Sequence, residues 1–390
     1  MPDRPHVALL IETSNAYARG LLRGIYAYLR EHRPWSIYLP EQGRGDAPPG
    51  WLKKWRGDGM IARIENDRIA KAVRAAGVPT VDVSANRLIP NLPCVETDNR
   101  AIAEMALNHF CDHGFKEFAF CGDHRFPWSQ QREKWFVELA HARGLNASIY
   151  PEHGGAARDS ARSWEKEEKS LLGWLKNLPK PCGLMCCYDI RGFQVLDACR
   201  SAGIAVPDEI AVIGVDDDDL LCNLSDPPLT SIALDTFRTG YEAAKLLEQM
   251  IAGEKTSGDL MLIKPLSLVT RQSSDVLAVA DPDVSLAVRL IRQRACEGIK
   301  VDDVLAKVPL SRRVLEFRFK RILGHSPHDE ILRVQLQRAK QLLAETSLPL
   351  AVVADRSGFK HVEYFSVAFK REFGQTPSSY RAEHRSKLQA

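Results

Sequence analysis

Short apolar runs alternate with amphipathic stretches through the first two-thirds of the chain. The runs His6–Ile11, Gly59–Ala62, Thr80–Val83, Cys94–Thr97, Glu117–Cys121, Gly183–Cys187 and Ile210–Val215 predict strands. Between them, Tyr17–Glu31, Arg68–Ala76, Arg100–His113, Arg132–Arg143 and Gly192–Ala202 carry apolar residues at helical spacing. Strand, helix and strand joined by short Gly/Pro connections predict parallel sheets with helices on both faces. Residues 1–272 are too many for one doubly wound domain and predict two lobes around a cleft, with ligand at the carboxyl ends of the strands. From residue 283 onward the strand pattern stops, and helices punctuated by Gly, Pro and Ser follow.

The change of pattern falls within Arg271–Asp283. It predicts a domain over residues 1–274, a linker over 275–283 that begins in Gln272–Asp275, and a helical domain over 284–390 that starts at Asp281-Pro282. Charge changes at the same place. Residues 281–390 hold 20 Lys and Arg against 13 Asp and Glu, whereas 1–280 hold 33 against 37, so a polyanion-binding module is expected at the basic end. No secretory leader or membrane span is expected, because Met1–Pro5 runs directly into a short strand. The nine cysteines lack zinc or disulfide spacing, and Cys182, Cys186 and Cys187 read as small apolar residues of a buried strand. A reducing cytoplasm is expected, with no metal and no cofactor.

The basic domain contains a repeat. Phe319-Lys320-Arg321-Ile322-Leu323-Gly324-His325-Ser326-Pro327 returns as Phe369-Lys370-Arg371-Glu372-Phe373-Gly374-Gln375-Thr376-Pro377. Each copy ends a helix-turn-helix pattern, one over 301–323 and the other over 350–373, joined by a long helix over 328–345. Ser311 is the expected N-cap of the second helix of copy one. Leu315, Phe319 and Ile322, and in copy two Phe365, Phe369 and Phe373, form apolar backs. The fronts carry Arg312, Arg313, Glu316, Lys320 and Arg321 in copy one. In copy two Val362, Glu363, Ser366, Lys370 and Arg371 answer them, with Val367 also placed in front. A helix of this shape fits the major groove of double-stranded DNA. Arg312 and Arg313 are candidates for guanine edges or phosphates, and Lys320, Lys370, Arg321 and Arg371 for phosphates. The apolar front of copy two leaves open whether it reads bases, through thymine methyl groups, or only positions the domain.

Ala354 through Pro377, with Gly358-Phe359, Tyr364-Phe365, Phe369-Lys370 and Gly374-x-x-Pro377, resembles the signature of the AraC/XylS class of DNA-binding regulators. That resemblance implies two recognition helices set into successive major grooves about 34 Å apart. The first part resembles the effector cores of LacI/GalR regulators and periplasmic sugar-binding proteins. The residues that carry this are Thr97-Asp98-Asn99, Arg132 opening a helix ahead of Trp135-Phe136, Tyr188-Asp189, Ile213–Asp217, Leu229–Ile232 and Val269–Ser273. The expected architecture is therefore a two-lobed α/β periplasmic-binding-protein-like domain followed by an all-α domain with two helix-turn-helix units. Such an order of parts is similar to regulators of xylose operons. It implies a transcription regulator, activator or repressor, responding to D-xylose or a related monosaccharide, acting as a homodimer on operator DNA, with RNA polymerase as a further partner.

Within that resemblance, Asn15, Tyr17, Arg19, Trp128, Arg132, Asp189 and Asp216 are the expected sugar contacts. Carboxylates accept from sugar hydroxyls, guanidinium groups donate to them, and an aromatic face stacks on the ring. Tyr17 and Trp128 read equally as packing residues, Asp98 as a helix cap, and Asp218 and Asp219 as a solvated helix start. An enzyme and a transport protein are the competing readings. Against the first, the chain has no G-x-S-x-G elbow, phosphate-binding Gly-rich loop or H-E-x-x-H motif. Against the second stands the helical domain.

Overall fold

A computed structural model of the chain describes residues 4–41, 43, 49–151, 161–254, 258–275, 281–346 and 348–388. The chain forms two compact units, Met1–Val276 and Leu277–Ala390.

The first unit contains two six-stranded sheets. β1 (His6–Leu10), β2 (Ser36–Tyr38), β3 (Gly59–Ala62), β4 (Thr80–Asp82) and β5 (Cys94–Thr97) build one of them. β6 (Glu117–Cys121), β7 (Ala147–Ile149), β8 (Cys182–Cys186), β9 (Ile210–Val215) and β10 (Thr230–Ala233) build the other. β11 (Leu260–Ile263) then returns to the first sheet beside β5, and β12 (Ser267–Val269) to the second beside β10. The chain thus crosses between the sheets three times, after β5, β10 and β11. The orders are β11-β5-β4-β3-β1-β2 and β12-β10-β9-β8-β6-β7. β12 runs antiparallel to β10, and the other pairings are parallel. β3, β8 and β9 are buried along their whole length, as strands covered by helices on both faces must be.

The predicted strands agree with the structure to within one residue at each end. The hydrophobic pattern leaves out five strands: β2, β7, β11 and β12 are edges that are short or exposed, where no apolar run is required, and β10 is interior but reads Thr-Ser-Ile-Ala, with too few apolar residues to signal burial. The helix Thr236–Ile251 also escapes the pattern. Its buried face is built from Thr239, Gly240, Ala243, Ala244 and Leu247, mostly small residues with a weak hydrophobic signal. They are small because this helix packs closely on Ala16–Glu31: a Cβ on Gly24 would lie 1.9 Å from the Phe237 carbonyl oxygen, and one on Gly240 would lie 2.0 Å from that of Leu21. The helix expected to open at Arg132 begins at Pro127, whose ring suits the first turn, so Arg132 stands in the second turn. Asp98 is a cap, its carboxylate accepting from the Ala101 amide at 3.0 Å. Gln272–Asp275 is not a loose linker start. Ser273 is fully buried, accepts from the Thr230 amide at 2.8 Å and donates to the Val212 carbonyl at 2.7 Å.

The second unit is helical throughout its described residues: Pro282–Arg294, Val301–Leu305, Arg312–Leu323, Pro327–Glu345, Leu350–Arg356, Val362–Phe373 and Pro377–Leu388. Asp281 caps the first of these by accepting from the amides of Asp283 and Val284. Ser311 occupies the N-cap position of its helix, but its side chain makes no capping bond. Both recognition helices end at glycines in the left-handed conformation, Gly324 at φ 79° and Gly374 at φ 74°, which explains the repeated Gly. Two apolar cores result. One gathers Val284, Val288, Ile291, Val304, Leu315 and Phe319, the other Leu336, Leu343, Val353, Phe359, Phe365 and Phe369. Glu330, buried at the start of the long helix, pairs with Arg292, Arg333 and His325, which together hold its carboxyl well below the usual range despite burial.

Substituting Gly24→Ala forces the two packed helices of the first unit apart. It should cost about 1–3 kcal/mol, the usual toll of overpacking, in urea denaturation of the full chain. An unchanged midpoint would contradict the close backbone contact.

Candidate ligand pocket and nucleic-acid interface

The first unit contains an opening whose empty space, counting what is open to solvent, is about 360 Å³. Its lining comes from the carboxyl ends of strands or from helices that follow them. Arg63 follows β3, Val83, Ser84 and Ala85 follow β4, Glu96 and Thr97 end β5, and Asp216 follows β9. Tyr17 stands in the first turn of the helix after β1, and Trp128 and Arg132 in the helix after β6. This is where parallel α/β sheets offer binding crevices, because side chains there are not committed to the sheet.

Arg132 is buried and held on two sides. Its Nε donates to Asn99 Oδ1 at 3.0 Å and its Nη1 to the Cys187 carbonyl at 2.5 Å, with the guanidinium 5.0 Å from the centre of the Trp128 ring. Trp128 is itself fixed, stacked on Phe126 and edge-on to Tyr188. Across the pocket Arg63 donates to Glu12 at 2.7 Å and to Glu65, and lies 5.1 Å from the centre of the Tyr17 ring. Its buried Nε has no hydrogen-bond partner among the described residues. Burial pushes the Glu96 carboxyl up to about 7 against the opposing pull of Asn99 and Arg132, and burial likewise raises Asp82 to about 7. Asn99 Nδ2 donates to Glu96 at 2.6 Å and to Gln131 at 3.2 Å, so one amide links both sides of the charged cluster.

Of the expected sugar contacts, Tyr17, Trp128, Arg132 and Asp216 line this opening, and Asn15, Arg19 and Asp189 do not. Asn15 caps a helix, its Oδ1 accepting from the Ala18 amide at 2.8 Å. Arg19 is exposed on that helix and donates to the Thr13 carbonyl at 3.3 Å. Asp189 is buried, with one oxygen accepting from Ser231 Oγ at 2.5 Å and the other from the Asp218 amide at 2.7 Å. Burial and the nearby Asp216 charge raise its carboxyl far above the usual range. Asp189 is therefore a support. Together with Arg271, which donates to Asp217 at 2.8 Å, it holds the turn in which Asp216 and Asp217 adopt φ values of 109° and 50°. Non-glycine residues pay strain there, and such strain gathers at binding sites. Arg63, Ser84 and Glu96 were missed by the sequence reading, although their places just after or at the ends of three predicted strands were a usable signal.

In the second unit the apolar backs are as expected, with Leu315, Phe319, Phe365 and Phe369 fully buried. Arg313, Glu316, Lys320 and Arg321 are exposed, as are Glu363, Lys370 and Arg371. Arg312 is exposed but pairs with Asp302 at 3.1 Å and Glu316 at 3.2 Å, bonds weak enough in water to be exchanged for a phosphate. Val362 departs from its expected front position. It lies in line with Phe365 and Phe369 and packs against the second core, and Ser366 is half-buried. The long side chain of Arg312, at the equivalent place in copy one, reaches solvent instead. The front faces also present apolar groups, Val367 as expected and Phe317 in addition. Phe317 is 64% exposed and Val367, its counterpart, 67%.

Three family models match the chain: a periplasmic binding protein-like domain over residues 107–274, a XylR N-terminal domain over 6–100, and a helix-turn-helix domain over 304–383. The chain is 33% identical over 384 residues to the xylose operon regulatory protein of Haemophilus influenzae, covering 96% of this chain and 97% of that protein. It is 32% identical over 386 residues to the xylose operon regulatory protein of Escherichia coli, covering 97% of each. A solved structure described as the xylose-binding transcription activator xylR superposes with a TM-score of 0.82 at 32% identity, covering 98% of each chain. These relatives are regulators of transcription and not enzymes. With this identity sustained over nearly its full length, the chain belongs to the family of xylose operon regulatory proteins.

Proposed function

We propose that residues 1–274 sense D-xylose, or a closely related monosaccharide, in the pocket between the two sheets, and that residues 284–390 carry the response to operator DNA. Arg132 carries this reading: a guanidinium anchored on two sides over an aromatic face, in an opening also lined by the acceptors Glu96 and Asp216. Neutral polyols need this mixture of fixed donors and acceptors around a ring-stacking surface. Trp128 stacks on the sugar, Arg63 and Arg132 donate, and Glu96 and Asp216 accept. The three chain crossings allow the sheets to close on the sugar, and sugar shifts that equilibrium only by binding the closed form better.

The protein acts in the cytoplasm as a homodimer and, as an activator, presents RNA polymerase with a DNA-bound surface. No described helix is long and apolar enough to cross a membrane. Arg313 reads a base edge, the lysines and Arg321 and Arg371 hold phosphates, and Phe317 and Val367 contact thymine methyl groups. Val367 gives the second recognition helix a share in base readout.

Calorimetry with D-xylose should show affinity about 10- to 100-fold weaker for Arg132→Ala and Asp216→Ala, the cost of losing hydrogen bonds to charged groups. Undiminished affinity in both variants would remove the pocket from the function. Only ionised Glu96 offers all its oxygens as acceptors, and its carboxyl stands at about 7, so affinity should fall as pH drops through that value. Glu96→Gln should flatten that profile; a profile of the same steepness would show that another group titrates. On duplexes selected by the full chain, Arg313→Ala should cost about 1–3 kcal/mol and relax preference at one base pair. A uniform loss across sequences would make Arg313 a phosphate contact.

A further inference from the structure

The long helix Pro327–Glu345 enters both apolar cores, with Ile331 in the first and Leu332, Leu336, Ala339, Leu342 and Leu343 in the second. A single shared helix leaves the two helix-turn-helix units able to twist about their junction. A lateral tie closes that freedom. Gln335, only 7% exposed, donates from Nε2 to the Ala295 carbonyl at 2.9 Å and to the Gly358 carbonyl at 3.2 Å. Ala295 caps the end of the helix Pro282–Arg294, which shares the first core with the first helix-turn-helix unit, and Gly358 forms the turn of the second unit. A primary amide nitrogen carries two hydrogens, and here one serves each side of the junction.

The turn itself supplies a second, independent observation. Gly358 has φ 84°, and a Cβ there would lie 2.5 Å from the Ala295 carbonyl oxygen and 2.8 Å from Gln335 Nε2. The turn of the second unit therefore touches, backbone to backbone, the end of the helix that shares the first core with the first unit. Removing the amide would leave both carbonyls short of their shared donor at a buried junction, where a lost hydrogen bond is costly.

We propose that Gln335 is a positioning residue that locks the second helix-turn-helix unit in register with the first, and so fixes the spacing of base pairs that the two recognition helices accept. The proposal rests on the reading that both recognition helices enter DNA. The two helices pack on different cores, so a small rotation at the junction is carried to the groove contacts. One base pair is only about 3.4 Å of rise.

The test is selection from a randomised duplex library by the full-length chain, followed by sequencing. The intact protein should enrich two short segments at one spacing within each half-site. Gln335→Met keeps volume but has no donor, and should enrich the same segments at two or more spacings, with affinity for the original duplex down about tenfold. Gln335→Lys, which restores a donor, should return the single spacing. Gly358→Ala probes the same junction from the other side and should also broaden the spacing. A single spacing retained by Gln335→Met overturns the proposal. Should that variant fail to fold, a single spacing retained by Gly358→Ala overturns it. An intact protein that enriches only one segment overturns both this proposal and the two-groove reading.

Discussion

The guanidinium of Arg132 is buried in the first unit, and a buried charge must be paired or bonded to persist. Asn99 and the Cys187 carbonyl answer it on two sides, and Asn99 passes the tie on to Glu96 and Gln131. This network draws together the end of β5, the helix after β6 and the segment after β8. Asp189 does the same for the turn after β9, where it holds Asp216 in a strained conformation facing the opening. The pocket follows from these ties. Charged groups at strand ends are fixed by protein bonds on their outer sides, and what they have left over faces inward.

The DNA-binding unit solves a different problem with related means. Its two cores are each small, and polar ties hold the helix that enters both. Glu330, paired with Arg292, Arg333 and His325, fixes the start of that shared helix, and Gln335 joins its middle to the end of Pro282–Arg294 and to the turn at Gly358. Buried polar groups with satisfied bonds specify one arrangement where apolar packing alone tolerates several. The exposed faces are then free to carry Arg313, Phe317, Lys320 and their counterparts toward a ligand.

Much of this was legible in the sequence where burial imposes a period. β3 and β9 agree with their predicted ranges because strands covered on both faces need unbroken apolar runs. Leu315, Phe319, Phe365 and Phe369 were legible as helix backs for the same reason. What escaped lacks such a signal. The edge strand β7 is mostly exposed, and the small-residue face of Thr236–Ile251 is apolar only weakly. In the site, Tyr17, Trp128, Arg132 and Asp216 follow from chemistry placed near strand ends. Asp189 has the same chemistry and the same kind of place, but its bonds to Ser231 and Asp218 come from segments distant in sequence. Val362 was misplaced because a first-turn residue is assigned to front or back by only a few tens of degrees of helix rotation.

On the proposed function, sugar in the pocket and DNA on the recognition helices bias the same equilibrium. Thermodynamic linkage makes this reciprocal: if sugar raises affinity for DNA by some factor, DNA must raise affinity for sugar by the same factor. The most direct test is calorimetric titration of D-xylose into the full chain, alone and saturated with a selected duplex, set beside DNA binding with and without the sugar. Two matching factors, both different from one, are expected. Sugar affinity unaffected by bound DNA would contradict that linkage, leaving a sugar site and a DNA site that share a chain without sharing a switch.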